Sequence, residues 1–173
     1  MSDFFVPFTL QNQNEYVNIV YIQGVSMEYI NFENQILEID KIDFVGVDTA
    51  KQAGMPNQYT ITAYKNDNTE QILFSCFDIA LAKKACSNLN QSLQASNFPN
   101  FAQIGYSFVN LDCLTNINIV AQSIYGQVFY TLKCKFKSGY NYDVYNGNNQ
   151  TAEKLKYQLL KICKAYKEQK FFE

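Results

Sequence analysis

Lys133, Lys135 and Lys137 alternate along the chain, and Tyr140 and Tyr145 follow closely. Alternation in a strand puts the three ammonium groups on one face, where cations can track the phosphates of a single nucleic-acid strand while rings stack on its bases. The competing assignment is a solvated sheet surface, because lysine is also a residue that discourages strand addition at exposed edges. A formal charge of -2 over 173 residues favours the second assignment, since displacing counterions from nucleic acid rewards clustered positive charge.

Acidic residues offer a second constellation. Glu38, Asp40 and Asp43 lie close in sequence, and paired carboxylates can move protons or hold a hard cation. Asp48 and Asp112 each end an apolar run, where aspartate ordinarily bonds local backbone at a turn.

Other chemistry is excluded by composition. With no histidine, the chain lacks the one side chain that titrates unperturbed between pH 5 and 8, so a Ser-His-Asp or Cys-His centre cannot be built from it. With no arginine it also lacks the planar fork that grips phosphate or carboxylate in two places. Its seven glycines form no dinucleotide or phosphate loop. No cofactor and no metal are expected.

The five cysteines, Cys76, Cys86, Cys113, Cys134 and Cys163, are odd in number and irregularly spaced, without a C-x-x-C pair. That pattern reads as reduced, buried thiols in the cytoplasm or another reducing compartment, a virion component included. The apolar start of the chain is too short and carries no basic residues, so no signal peptide is expected. No apolar stretch reaches membrane-spanning length, and no membrane insertion is expected. The skew toward Asn, Gln, Lys, Ile, Tyr and Phe is what AT-rich coding produces, as in a phage or an AT-rich microbe.

These side chains need elements to hold them. Residues 15–34 read as a strand pair hinged near Gly24, and 36–47 as a longer strand whose alternation slips between Ile39 and Ile42. An Asp67-Asn68 turn would pair Lys65 with Glu70, Ala63 with Ile72, Ile61 with Phe74 and Tyr59 with Cys76 on a core face, leaving Thr60, Thr62, Tyr64, Gln71, Leu73 and Ser75 outside. Asp78 is placed to cap a helix whose apolar positions are Ala82, Ala85, Cys86, Leu89 and Leu93. Residues 96–100 stop it before a second half.

There, strands are expected over 108–112, 117–121, 128–137 and 141–145. A three-residue loop at 138–140 sets Phe136 against Tyr142 and Cys134 against Val144, and leaves the three lysines outside with Asp143 and Tyr145. Asn149 or Thr151 caps a last helix with Leu155, Leu159, Ile162, Cys163 and Tyr166 on its apolar side. Leu89, Leu93, Leu159 and Ile162 are expected to be buried.

The halves echo each other in order. Phe44-Val45-Gly46-Val47-Asp48 resembles Phe108-Val109-Asn110-Leu111-Asp112, Tyr59-Thr60-Ile61 resembles Tyr130-Thr131-Leu132, and Ala82, Lys84, Leu89 and Ala95 match Ala152, Lys154, Leu159 and Ala165. The expected fold is therefore α+β, a tandem duplication of a β-β-β-α unit with antiparallel sheets, one helix packed per unit and an N-terminal strand pair. The expected organisation is an arm over 1–14, a first half over 15–103 and a second over 104–173.

Phe4, Phe5 and Phe8 at one end and Phe171 and Phe172 at the other put large apolar groups where chains usually fray. Burying a phenylalanine is worth about 1.5–3 kcal/mol, enough to dock such tails either on their own domain or on a neighbouring subunit. The expected function is accordingly non-enzymatic: protein–protein interaction or assembly through a protein partner or self-association. The alternative is single-stranded nucleic-acid binding through the Lys and Tyr of an outer sheet face.

Overall fold

The structure, a computed structural model, describes residues 17–22, 25–51, 53–95 and 100–170. Strands β1 (Val17–Ile22) and β2 (Val25–Phe32) form the expected N-terminal pair, and β3 (Gln35–Glu38) follows a two-residue turn. Glu33 and Asn34 both take positive φ there, 48° and 63°, as the tight hairpin turn requires. The slip in alternation is a 3-10 turn at Ile39–Lys41, which divides the expected 36–47 strand into β3 and β4 (Ile42–Ala50). Strands β5 (Gln58–Lys65) and β6 (Glu70–Cys76) then lead into helix α1 (Ile79–Ala95).

The remainder runs β7 (Phe101–Ile104), β8 (Ser107–Asn110), β9 (Leu114–Ile124), β10 (Gln127–Phe136), β11 (Asn141–Gly147) and helix α2 (Asn149–Lys170). Three sheets result, ordered β1-β2-β3, β6-β5-β4-β8-β7 and β11-β10-β9, with every pairing antiparallel. The class is α+β, as expected. The element run is longer than β-β-β-α, and the boundary expected at 103/104 cuts through β7, whose hairpin with β8 completes the first half's sheet by pairing Phe108 with Val45 and Val109 with Phe44.

From β2 onward each helix is preceded by the same succession: a two-residue hairpin, a short turn, and a three-stranded meander. The hairpin closures Phe32↔Gln35 and Ile104↔Ser107 lie 72 residues apart, as do the bulged residues Asp43 and Thr115. The three-residue loops at 66–68 and 137–139 lie 71 apart, each closed by the same two backbone bonds, Lys65 N–H to Thr69 O with Asn68 N–H to Lys65 O, and Phe136 N–H to Tyr140 O with Gly139 N–H to Phe136 O. Bulges at Leu73 and Val144 keep that spacing. Helix caps Asp78 and Asn148, and the buried Leu89 and Leu159, lie 70 apart.

This register corrects one echo. Phe108 corresponds to Ile36 rather than to Phe44. The runs 44–48 and 108–112 look alike because β4 and β8 are neighbours in the middle sheet, buried on both faces, and so require the same apolar residues.

That sheet is the central layer. On one side Val45, Ile61, Ala63 and Phe108 pack with Leu37 of the first hairpin and Cys86, Leu89 and Leu93 of α1. On the other, Phe44 and Val109 pack with Cys134, Phe136, Leu159 and Tyr166. Phe44 stacks on Tyr142 at 5.0 Å between ring centroids, and Tyr64 meets the same ring at 4.6 Å. Burial pushes the Tyr142 hydroxyl up to about 12.

Several local expectations shift. In the first hairpin Tyr59↔Cys76 and Ile61↔Phe74 hold, but the longer loop moves Ala63 opposite Gln71 and Tyr64 opposite Glu70. The Leu73 bulge absorbs the difference, so Leu73 is buried and Ile72 exposed, the reverse of the expected faces. In the second hairpin the loop has the expected length but sits at 137–139, where Gly139 takes φ 94°, and Cys134 faces Tyr142 rather than Val144. Asp78 caps α1, its side chain accepting from Ala80 N–H at 2.7 Å. Asn148, not Asn149 or Thr151, caps α2 through Thr151 N–H at 2.8 Å. Leu89, Leu93 and Leu159 are buried, whereas Ile162 is exposed.

Candidate interaction site

The lysines and tyrosines of the second hairpin do not share a face. Lys133 and Lys135 pair with Asp143 and Asn141 on the outer side of the sheet, and Lys137 lies in the loop. Tyr140 and Tyr145 stand opposite Phe136 and Leu132, which point into the core. Tyr140 stacks on Tyr142 with centroids 5.7 Å apart, and the Tyr145 hydroxyl accepts from Asn148 N–H at 3.1 Å, bracing the start of α2. Lys133 is tied to Asp143 at 2.7 Å. Lys135 and Lys137 are exposed.

The acids disperse as well. Glu38 pairs with Lys41, Asp40 faces solvent, and Asp43 is fully buried at the β4 bulge, where one carboxylate oxygen accepts from Ser138 and the other has no partner. Asp43 thus holds the 137–139 loop against the central sheet. Burial, with Asp43 beside it, pushes the Cys113 thiol up to about 11. Asp48 accepts from the Tyr64 hydroxyl at 2.8 Å, and Asp112 from Tyr166 at 3.0 Å and from Lys170. Burial alone would raise the Asp112 carboxyl, but those hydrogen bonds hold it below its usual range. No group of His, Cys, Asp or Glu among the described residues is arranged to hold a metal ion. Phe4, Phe5, Phe8, Phe171 and Phe172 lie outside the described residues.

What sequence reasoning missed is the outer edge of β9. Among the described residues this strand is paired only to β10. It is the longest strand, at 11 residues, and carries no charge and no proline, the devices that usually protect an edge. Beside it runs a cleft of about 200 Å³ between Leu114, Asn116 and Ile117 of β9 and Leu160, Cys163 and Lys167 of α2. That is below the roughly 300–1,000 Å³ of small-molecule sites, and fits one or two side chains. Farther along, Val120, Ile124, Tyr125 and Val128 expose the hairpin tip.

The corresponding cleft of the first unit is filled. There β8 lies along β4, and Phe108 occupies the space between Val45 and the α1 residues Cys86, Leu89 and Leu93. The β7–β8 turn is fastened to the helix, with Lys83 over the Tyr106 ring at 5.6 Å and the Cys86 thiol 3.9 Å from Tyr106 O. Ile117 and Cys163, the counterparts of Val45 and Leu93 at spacings of 72 and 70, line the open cleft.

A charge signal was present in the sequence but hidden by the whole-chain sum. Residues 1–103 hold eleven acids against five lysines, and residues 104–173 nine lysines against five acids. The open cleft belongs to the basic half.

All five cysteines are free thiols, and among the described residues no helix is long and apolar enough to cross a membrane. No protein family, curated protein or solved structure matches this chain.

Proposed function

We propose that the chain is a non-enzymatic assembly module that binds protein by taking an extended segment onto the free edge of β9, with side chains entering the cleft against α2. Strand addition of this kind draws affinity from backbone hydrogen bonds and specificity from alternate side chains. The observation that carries the reading is the filled counterpart: the same edge on β4 already carries β8. A synthetic peptide of residues 100–112, the segment that fills the first cleft, is the probe. It should slow hydrogen exchange of the Ile117 and Ile119 amides, and Leu160→Asp should abolish that protection. Unprotected amides at a peptide concentration of about 1 mM would end the reading.

The second reading, single-stranded nucleic-acid binding, draws support from the basic balance of residues 104–173 and the exposed Lys135 and Lys137. Labelled oligothymidine should then bind with a log–log salt slope of about -0.7 per phosphate contacted, and the combined Lys133, Lys135 and Lys137 to Glu change should remove it. Tight binding that ignores salt would exclude this mode.

The shared spacing of the two units also supports tandem duplication as their origin. A chimera with residues 29–38 in place of 101–110 should then fold with a cooperative transition, and an unfolded chimera would speak against interchangeable hairpins.

A further inference from the structure

We infer that the occupant of the β9 cleft is the β3 edge of a second copy of this chain, so that copies associate head to tail. The inference rests on the assembly reading above and names its partner. Within one chain the hairpin of the second unit already docks on the meander of the first, through β8 on β4. Applying the 72-residue spacing once more leaves two unmatched ends. Among the described residues, the second meander has an unpaired edge at β9 and the first hairpin an unpaired edge at β3.

The side chains agree. Each hairpin turns one residue into its own unit and the next outward. Val109 is buried against Phe136 and Leu159, and its counterpart Leu37 against Ile61 and Leu89. Phe108 is buried in the neighbouring unit's cleft, while its counterpart Ile36 is 64 % exposed. The register of the internal contact carries over as Ile36 opposite Ile117 and Leu37 opposite Asn116 of the neighbouring copy. Gln71 donates to Ile36 O at 3.3 Å at the β3 edge, yet its counterpart Tyr142 coexists with the docked β8 by stacking on Phe44, so that position does not bar a strand. Charge points the same way. Glu38 is paired with Lys41 and Lys164 with Glu168, which leaves Glu33 and Asp40 exposed near the β3 end and Lys167 at the cleft.

One position does not carry over. In the internal contact the Asn110 side chain donates to Ile42 O at 2.7 Å, a buried bond. Its counterpart Glu38 has no donor for Leu114 O when ionised, so the contact between copies lacks this bond. Because the ends differ, the interface is heterologous and builds rings or open filaments rather than a closed pair with one shared patch.

Sedimentation equilibrium of the full chain from about 10 µM to about 1 mM reads the association directly. The expected result is an average mass that rises with concentration past the dimer or settles at a closed ring. Ile36→Asp and Leu160→Asp, both at exposed positions, should each be monomeric with unchanged denaturation midpoints. Mixed in equal amounts they should give a 1:1 dimer and nothing larger, since each supplies the end the other lacks. Glu38→Asn restores the missing donor and should tighten association roughly three- to tenfold. A wild-type chain monomeric throughout, an association that survives both substitutions, or variants that fail to pair on mixing would each overturn the inference. If peptide 100–112 protects β9 while the chain stays monomeric, self-association falls and strand addition stands. If the peptide also fails, both fall.

Discussion

The two units of this chain build the same cleft between a strand edge and a helix, and fill it differently. In the first, β8 and Phe108 occupy the space, and β4 is buried along most of its length. In the second, nothing among the described residues covers β9, and its outer half is solvent-exposed on both faces. The first meander is covered by the hairpin that comes after it, β8 pairing with β4. Equivalent local structure therefore has unequal exposure, and the second unit carries the edge on which strand addition is proposed.

Substitutions can break that comparison at its largest difference. Phe108→Ala empties a filled cleft and should cost about 3–5 kcal/mol. Ile36→Ala at the corresponding position should stay within about 0.5 kcal/mol in the monomer. Urea denaturation at low protein concentration measures both, and similar losses would mean that Ile36 is not a free end.

The helix anchors should behave alike. Leu89→Ala and Leu159→Ala each remove a fully buried side chain, and each should cost about 2–5 kcal/mol by denaturant midpoint. A tolerant Leu159 would detach α2 from the packing described here.

Smaller changes are expected at the caps. Asp78→Ala and Asn148→Ala each release one N-terminal amide, for about 1 kcal/mol. Thermal unfolding of the pair would show whether the starts of the two helices are equivalent in energy as well as in position.

The subtlest difference lies at high pH. Where the first unit has Ala63 and Gln71, the second has Cys134 and Tyr142, both raised to about 12, chiefly by burial. Each folded value lies above its unfolded value of 9.0 or 10.0, so the neutral groups stabilise the fold fully below those pH values. That contribution disappears as pH climbs toward 12. Cys134→Ala should flatten the decline between pH 9 and 12, and an unchanged profile would place the alkaline sensitivity elsewhere, at Cys86 or Tyr64.

Local patterns were legible in the chain itself. The helical stripe Ala82, Ala85, Cys86, Leu89 and Leu93 predicts a buried face, the Asp78 cap follows from its position, and the slip between Ile39 and Ile42 marks a true break. Two other features misled. A loop one residue longer than expected moved the first hairpin's register, and a bulge at Leu73 restored it. The four-residue strand β7 was too short to show a period. The Lys and Tyr grouping separates because the Val144 bulge and the loop at 137–139 set Tyr140 and Tyr145 opposite Phe136 and Leu132 rather than beside Lys133 and Lys135.

By itself the sequence determined what depends on near neighbours along the chain: helix faces, most strands, the alternation of Lys133, Lys135 and Lys137, and the chemistry excluded by missing histidine and arginine. Only the tertiary structure decided which edges are covered. That Phe108 answers to Ile36, that β8 crosses to β4, and that β9 is paired only to β10 among the described residues depend on contacts between residues up to about 70 positions apart. Such contacts leave no period in the sequence, because any apolar strand of the right length satisfies the same local pattern. The choice among them is made by which faces the other layers have already buried.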